Sequence, residues 1–303
     1  MTTRPPWISV IIPSHNRGEL LRHAVASVLS QSQVDPNFEV VVVDDASDIP
    51  ASVELADIAD PRLRIVRSEH NIERGASRNL GARVSQASLL AFLDSDDEWH
   101  PEKLSRQIPD TRSRGASVTG MVNVDEHGRA FAEQRVPPSD AHHHVSRTNR
   151  FYGSGSSLVI DRASFDAVGG YPEEWAVQGA EDWVLLVRLA RAGMPPRIVE
   201  FPGVRVRVHT GNSTADPSRA AVATWSALDL MEREGLVVEP ELGVARQGKA
   251  VNIARQFARA RRPKDAGIWL RRAWSWGTPI GFLRAAPLVI ASGLASIRPR
   301  RGW

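Results

Sequence analysis

A buried strand that runs directly into three carboxylates constrains this chain more than any other stretch. The apolar run 89–93 predicts a strand covered on both faces, and Asp94, Asp96 and Asp97 follow it at once. Because side chains alternate along an extended chain, Asp94 and Asp96 point to the same side, where their oxygens can converge. A set of oxygen ligands suits a hard divalent cation, Mg²⁺ or Mn²⁺. In the alternative interpretation, one of these acids only caps the helix predicted from Pro101.

Strands and helices alternate with the spacing of an α/β fold and a mostly parallel sheet. Right-handed crossovers in such a sheet place ligands beyond the carboxyl ends of the strands. Polar clusters stand at three of these ends, 13–16, 44–45 and 94–97, so we expect one shared crevice. The predicted strands are 7–13, 38–43, 63–66, 89–93, 117–124, 156–160, 198–201 and 204–208; the predicted helices are 20–29, 48–59, 75–85, 101–114, 162–168 and one from 181.

The last third of the chain is helical in pattern, basic and rich in Trp, which predicts a division into domains 1–214 and 215–303. From residue 241 onward, 13 Lys and Arg stand against 2 Asp and Glu. Such a surface fits nucleic acid, anionic lipid or an acidic protein, or it is the solvated face of Arg-rich helices. Pro279, Arg284 and Pro287 interrupt the apolar segment 268–296, which favours packing on the first domain or contact with a membrane surface over a transmembrane span.

The absence of cysteine from the 303 residues excludes disulfides, a thiolate metal site and a Cys nucleophile. The N-terminus has no long apolar core of a secretory signal, so we expect a cytoplasmic protein, either free or peripheral at the inner face of the membrane. The polar stretch 125–151 contains His142, His143 and His144. Three adjacent histidines cannot all face one metal from a regular element, which favours an exposed acceptor-side or flexible loop there.

Seven short motifs, in this order, resemble the family 2 glycosyltransferases, which have the nucleotide-diphosphosugar transferase fold called GT-A. The resemblance covers residues 7–213. It implies a Rossmann-like, mostly parallel sheet flanked by helices, with a helical C-terminal extension. The motifs are SVIIPSHNR (9–17), SVLSQ (27–31), VDDAS (43–47), GASRNLGA (75–82), FLDSDD (92–97), GGY (169–171) and EDW (181–183).

The resemblance implies a binding site for a nucleotide sugar. Asp45 would accept a hydrogen bond from the imino group of the base, and His15 stands where Tyr is common in the family. Arg78 and Asn79 would open toward the crevice, where Arg78 either neutralises phosphate charge or forms a surface salt bridge. The residues expected at the donor are Pro13, Ser14, His15, Asn16, Asp45, Arg78, Asn79, Asp94 and Ser95.

The resemblance also implies metal and base residues. Asp96, in the DXD motif, would bind Mn²⁺ or Mg²⁺ between the phosphates, and Asp94 would contact the ribose or the metal. Asp97 and His209 are further candidate metal ligands, with a structural role as the alternative for His209. Asp182 would be the general base that takes the proton of the acceptor hydroxyl, although an acid at a helix start is also an ordinary N-cap.

The predicted activity is a metal-dependent, inverting transfer of one sugar from a UDP- or dTDP-sugar, in polysaccharide or glycoconjugate biosynthesis. The acceptor would be a glycan, a lipid-linked molecule or a small molecule, and no nucleic acid is expected. The Gln-Arg-Trp signature of processive synthases is absent. A nucleotidyltransferase or dehydrogenase would need a Gly-rich loop after the first strand, where this chain has Pro-Ser-His-Asn-Arg. The remaining alternative is a nucleotide-sugar-binding or scaffold protein without turnover.

Overall fold

The computed structural model describes residues 5–134, 155–209 and 216–276, which fall into two compact units. The first unit contains the described residues up to 209, and the second contains 216–276. The run His142–His143–His144, the segment 277–296 and residues 210–215 lie outside the described residues.

The described part of the first unit is built on one mixed sheet flanked by helices. The strands are β1 (Ile8–Ser14), β2 (Glu39–Asp44), β3 (Leu63–Arg67), β4 (Leu89–Phe92), β5 (Glu98–Trp99), β6 (Ala116–Val124), β7 (Ala130–Gln134), β8 (Val159–Asp161) and β9 (Arg197–Arg207). Their order in the sheet is β3-β2-β1-β4-β8-β6-β9-β5, and β7 pairs with β6. The helices are α1 (Glu19–Leu29), α2 (Ala51–Glu54), α3 (Glu73–Val84), α4 (Lys103–Arg114), α5 (Arg162–Ala167) and α6 (Glu181–Arg191).

The first four strands form the parallel half of the sheet, as predicted. β1 runs parallel to β2 and β4, and β2 runs parallel to β3. Every residue of β1 and β4 is buried, which explains their nearly continuous apolar sequence. The carboxyl ends of these strands meet at one edge of the sheet.

Beyond β4 the strand direction reverses. This reversal brings residues from later in the chain to the edge where the parallel strands end. β8 is antiparallel to β4, with Val159 opposite Ala91. The turn before β8 therefore lies beside the carboxyl end of β4. The predicted strand 156–160 is wrong in its first half, because Gly155–Ser157 forms a short 3₁₀ turn.

The two strands predicted at 198–201 and 204–208 are a single strand, β9. Pro202 and Gly203 look like a break in the sequence, but β9 continues through them by shifting its register against β6 around Gly120. A Cβ on Gly203 would lie 2.6 Å from Thr119 Oγ1, so only glycine fits this irregularity. The strands β5 and β7 were not predicted, and β7 lies in the stretch expected to be irregular.

Helix α3 packs on the sheet through small residues. A Cβ on Gly81 would lie 2.4 Å from Ile11 Cγ2 of β1, so glycine is required for this close contact. Ala76 of α3 is buried, but Leu80 and Val84 are only half-buried. The buried positions of α3 include three polar residues, Ser77, Arg78 and Asn79.

The second unit contains three helices within its described residues, in agreement with the helical pattern. They are α7 (Pro217–Arg233), α8 (Glu241–Arg259) and α9 (Pro263–Trp276). Ala250 and Ala254 of α8 pack with Ala273 of α9, while Trp225 of α7 lies 5.3 Å from Trp269 between ring centroids. Among the helices that the structure describes, none is both long enough and apolar enough to cross a membrane.

Candidate active site

The acidic cluster after β4 converges as predicted, but for a different local reason. One carboxylate oxygen from each of Asp94, Asp96 and Asp97 lies within 4.8 Å of the others. The segment is a turn closed by a hydrogen bond from Asp97 N–H to Asp94 O (3.0 Å), rather than an extension of the strand. The turn brings Asp97 in with the other two and buries Ser95. The N-cap of α4 is Glu102, without a side-chain capping bond, and no acid of the cluster caps this helix, so the capping interpretation was wrong.

Asp97 is the most buried of the three acids, with 4% of its surface exposed. It accepts hydrogen bonds from the Ser156 hydroxyl (2.6 Å) and from the Arg207 backbone N–H (3.2 Å). Burial, together with the charges of Asp96 and Asp94, raises the pKa of Asp97 well above its usual range. Three hard oxygen donors in one concave turn fit a divalent cation, which would offset this repulsion.

Asp96 contacts the side chains of His209 and Arg17. Its Oδ2 lies 3.2 Å from His209 Nε2, beyond the end of β9, and 3.6 Å from Arg17 Nη2, in the loop after β1. The structure thus brings His209 to the acidic cluster. Arg17 was missed as a site residue, although it ends the first motif of the sequence.

Arg78 lies inside the protein, so the expectation that it opens toward the crevice is wrong, as is the surface salt bridge. Its side chain is 0% exposed. Its two amino groups donate to Glu181 Oε1 (2.8 Å) and to Asp94, and Nη1 lies 3.5 Å from Asp182 Oδ1. Burial by itself would raise the pKa of Asp94. The positive charges of Arg78, Arg74 and Arg17 nevertheless hold this pKa below its usual value. One guanidinium therefore links the acidic cluster to the start of α6.

Asn79 is also buried and does not face an open crevice. It donates to Tyr171 O (2.9 Å) and to Glu173 Oε1 (2.8 Å), and it accepts from Tyr171 N–H (3.0 Å). The Tyr171 ring in turn lies 4.9 Å from the guanidinium carbon of Arg78. The motifs around 75–82 and 169–171 are thus joined by one buried polar network.

Asp182 occupies the second position of α6 and is not its N-cap, which is Ala180. Its Oδ2 accepts from the Gly155 backbone N–H (2.9 Å), while Oδ1 is buried and has no hydrogen-bond partner among the described residues. Burial raises the pKa of Asp182 to about 7, against the opposing effect of Arg78. A carboxylate with a pKa near neutral pH, and with one oxygen that accepts no hydrogen bond, is suited to accept a proton.

The predicted nucleotide loop and Asp45 lie together at the same edge of the sheet. Pro13 and Ser14 are buried at the end of β1, whereas the side chains of His15 and Asn16 are exposed. His15 Nδ1 lies 2.7 Å from Asp45 O. Asp45 Oδ1 accepts from Ile72 N–H (2.7 Å) and Ser68 Oγ (3.2 Å), which fixes the orientation of this carboxylate.

Gly155 and Ser156 were missed by the sequence reasoning, which placed this stretch partly in a strand. Gly155 must be glycine, because a Cβ there would lie 2.9 Å from Arg78 Nη2 and 3.1 Å from Asp182 Oδ1. The signal available was the Gly- and Ser-rich composition of 153–157. That composition marks a turn but does not say which side chains the turn contacts.

Comparison with known proteins agrees with the resemblance. The family model described as glycosyl transferase family 2 matches residues 9–169. A protein of Bacillus subtilis named as a teichuronic acid biosynthesis glycosyltransferase, TuaG, is 28% identical over 242 residues, covering 77% of this chain and 91% of that protein.

Two solved structures share the GT-A fold with this chain. S. aureus TarS 1–349 in complex with UDP-GlcNAc gives a TM-score of 0.59 at 18% identity, over 96% of this chain and 89% of that chain. The mannosyltransferase PcManGT from Pyrobaculum calidifontis, in complex with GDP-Man and Mn²⁺, gives a TM-score of 0.62 at 19% identity. The match covers 99% of this chain and 83% of that chain. These likenesses confirm the predicted fold class.

Proposed function

Because the chain belongs to glycosyltransferase family 2, we propose that it transfers one sugar, with inversion, from a UDP- or dTDP-sugar in a metal-dependent reaction. The observation that carries this proposal is the link through Arg78 between Asp94 of the acidic cluster and Asp182. Such a link holds a candidate base at a fixed distance from a candidate metal site. Residues 1–214 would be the catalytic domain.

Asp94, Asp96 and Asp97 would hold Mn²⁺ or Mg²⁺, and His209 would complete the site from the segment that follows β9. The cation, when bound, stabilises the negative charge on the departing diphosphate. The fit rests on the three oxygen donors within 4.8 Å of one another. The Mn²⁺ in the PcManGT structure supports a divalent cation in this fold.

Asp182 would take the proton from the acceptor hydroxyl as that hydroxyl attacks the anomeric carbon. The Gly155 N–H holds Oδ2, which leaves Oδ1 for the proton. Arg78 keeps the base oriented and limits the rise of its pKa. Base and diphosphate would then stand on opposite faces of the sugar, as inversion requires.

The exposed residues His15 and Asn16 would contact the nucleobase of the donor, and Asp45 would accept a hydrogen bond from the imino group of that nucleobase. Asp45 is suited to this because Ile72 and Ser68 fix its carboxylate beside the loop. Uracil and thymine both carry the required imino N–H. Since the two structural neighbours hold different nucleotides, UDP-GlcNAc and GDP-Man, the donor assay must include GDP-sugars.

The acceptor would be a glycan or a lipid-linked molecule in glycoconjugate biosynthesis, which the name of TuaG supports. Region 215–303 would contact the membrane peripherally. On α9, exposed basic residues accompany an exposed Ile268 and Trp274, a composition suited to an anionic lipid surface. Co-sedimentation with phosphatidylglycerol vesicles but not phosphatidylcholine vesicles would support this contact; equal behaviour with both would contradict it.

The donor site is tested by thermal shift and donor hydrolysis across UDP-, dTDP- and GDP-sugars, with Mn²⁺, Mg²⁺ or EDTA. We expect stabilisation by one nucleotide class that requires the cation and is lost in Asp96→Ala. The control is Asp166→Asn, which changes an exposed acid of α5. Stabilisation that survives EDTA would contradict the metal site.

Turnover is tested separately from binding. Asp182→Asn should bind donor and metal as the wild type does but transfer sugar far more slowly. A scaffold protein would be indifferent to this substitution, since it has no transfer to lose.

A further inference from the structure

One three-residue turn contacts both halves of the candidate active site. In the turn Gly155–Ser157, the Gly155 N–H donates to Asp182 Oδ2 (2.9 Å). The Ser156 hydroxyl donates to Asp97 Oδ2 (2.6 Å) and accepts from the Asp94 backbone N–H (3.0 Å). The turn therefore reaches the base with its backbone and the acidic cluster with one side chain.

The turn itself is held from behind by side chains of other elements. Trp99 Nε1 donates to Ser156 O and Gln107 Nε2 donates to Ser157 O, each over 2.8 Å. Ser156 and Gln107 are both 0% exposed. Since buried and saturated hydrogen bonds fix a backbone, the turn is a rigid support rather than a loop that adapts to its neighbours.

We propose that this turn positions the base and the metal ligands as one unit, with Ser156 as the positioning residue for Asp94 and Asp97. This inference rests on the proposed function. A hydroxyl is needed because the position must donate to a carboxylate and accept from an N–H at once. Alanine would leave the Asp97 carboxylate and the Asp94 N–H without this partner, and both would be free to turn away from the cation.

Because the turn lies inside the candidate site, loss of the Ser156 hydroxyl should change metal affinity and not only stability. Partners that orient metal ligands typically change metal affinity by about 10- to 100-fold when removed. Loss of an ordinary buried serine, by contrast, lowers stability without altering a distant site. The two effects can be separated if a serine with the same bonds exists elsewhere in the chain.

Ser9 is such a control. It is buried, and its hydroxyl donates to Glu39 Oε1 (2.5 Å) and accepts from the Ala87 N–H (3.2 Å). It lies near the start of β1, at the opposite end of the strand from Ser14. Ser9→Ala and Ser156→Ala therefore remove the same kind of hydroxyl, one far from the site and one inside it.

The experiment titrates Mn²⁺ into the full chain and measures bound Mn²⁺ by electron paramagnetic resonance, with thermal unfolding in parallel. We expect Ser156→Ala and Ser9→Ala to lower the melting temperature similarly. Only Ser156→Ala should weaken Mn²⁺ binding, by about 10- to 100-fold. Equal Mn²⁺ affinity in the two variants would overturn the inference while leaving the proposed function intact.

A second variant covers the case in which Ser156→Ala does not fold. Ser156→Cys keeps a side chain of similar size with a much weaker donor, so it should fold and still bind Mn²⁺ more weakly than the wild type. Wild-type affinity in Ser156→Cys would overturn the inference. If the wild type itself bound neither Mn²⁺ nor Mg²⁺, the metal-dependent function would fail together with the inference, and this result is distinct because it appears before any substitution is made.

Discussion

Arg78 and Glu181, 103 residues apart in sequence, form an ion pair that is shielded from solvent on both sides. Arg78 Nη1 donates to Glu181 Oε1 over 2.8 Å, and the two side chains are 0% and 1% exposed. The same guanidinium also contacts Asp94 and Asp182. The buried guanidinium of Arg78 orders the three carboxylates around it. Removing this guanidinium would strongly lower the stability of the fold.

Arg78→Lys should damage both stability and activity, because one ammonium group cannot replace a planar fork that reaches separate carboxylates. Leaving buried carboxylates unpaired typically costs about 3–5 kcal/mol. We expect a loss toward the lower end of that range, together with at least a tenfold decrease in kcat. Urea unfolding and a transfer assay measure the two effects.

The matched control for that prediction is Arg83→Lys, on the same helix. Arg83 is 62% exposed and lies 3.6 Å from Glu173. Surface pairs of this kind contribute about 0–1 kcal/mol, so the control should be close to wild type. Equal losses in the two variants would contradict the special role of Arg78.

Asp182→Asn should lower kcat by about 10²- to 10⁴-fold, the usual contribution of general base catalysis. Burial places the pKa of Asp182 at about 7, and the ionised form is the one that accepts a proton. In the wild type, the transfer rate should therefore rise with pH through about 7 and level off above it. The residual activity of Asp182→Asn should lack this rise; a retained rise would assign the titration to another group.

Asp182 should also affect stability in a pH-dependent way. Its folded pKa of about 7 is raised above the ordinary value of 3.8, so the folded state binds the extra proton between those values. The contribution of this group to the free energy of unfolding thus falls as pH rises from about 4 to about 7. We compare the free energies of unfolding of metal-free Asp182→Asn and metal-free wild type, measured in urea. The difference, variant minus wild type, should be more positive at pH 8 than at pH 5. A difference that does not change with pH would contradict the raised pKa.

Gly155→Ala should destabilise the protein by about 1–3 kcal/mol, as overpacking of a core does. The added Cβ would lie 2.9 Å from Arg78 Nη2 and 3.1 Å from Asp182 Oδ1, so activity should fall as well. The control is Gly267→Ala in α9, where the nearest neighbouring atom is 4.0 Å away. That change should stabilise the helix by up to about 1 kcal/mol. Thermal unfolding checks whether the two substitutions have opposite signs.

The parallel half of the fold could be predicted because its signals are local. Apolar runs such as 89–93 and the periodic spacing of 20–29 determine strands and helices within a few residues of each other. The acids of the site were found for the same reason, since they follow their strands directly. Pro202 misled the interpretation of β9, because a register shift that accommodates proline depends on the neighbouring strand.

The side of the helix on which Arg78 lies could not be read from its neighbours in sequence. An arginine in α3 would ordinarily face solvent, and its burial depends on Glu181 and Asp94, which other elements supply. Ser156 was missed for a similar reason, as its partner Asp97 is 59 residues away. The candidate binding residues were predicted from motifs, whereas the residues that contact them became visible only in the structure.

Because β8 pairs with β4 in the antiparallel direction, residues that are synthesised late lie beside acids that are synthesised early. Ribosomes add about 5–20 residues per second, so Asp94 precedes Ser156 and Asp182 by several seconds. During this interval, the nascent chain has the three acids of the cluster but neither Ser156 nor Asp182. Competence for transfer should therefore arrive late in synthesis, once β8 has paired with β4 and α6 has been added.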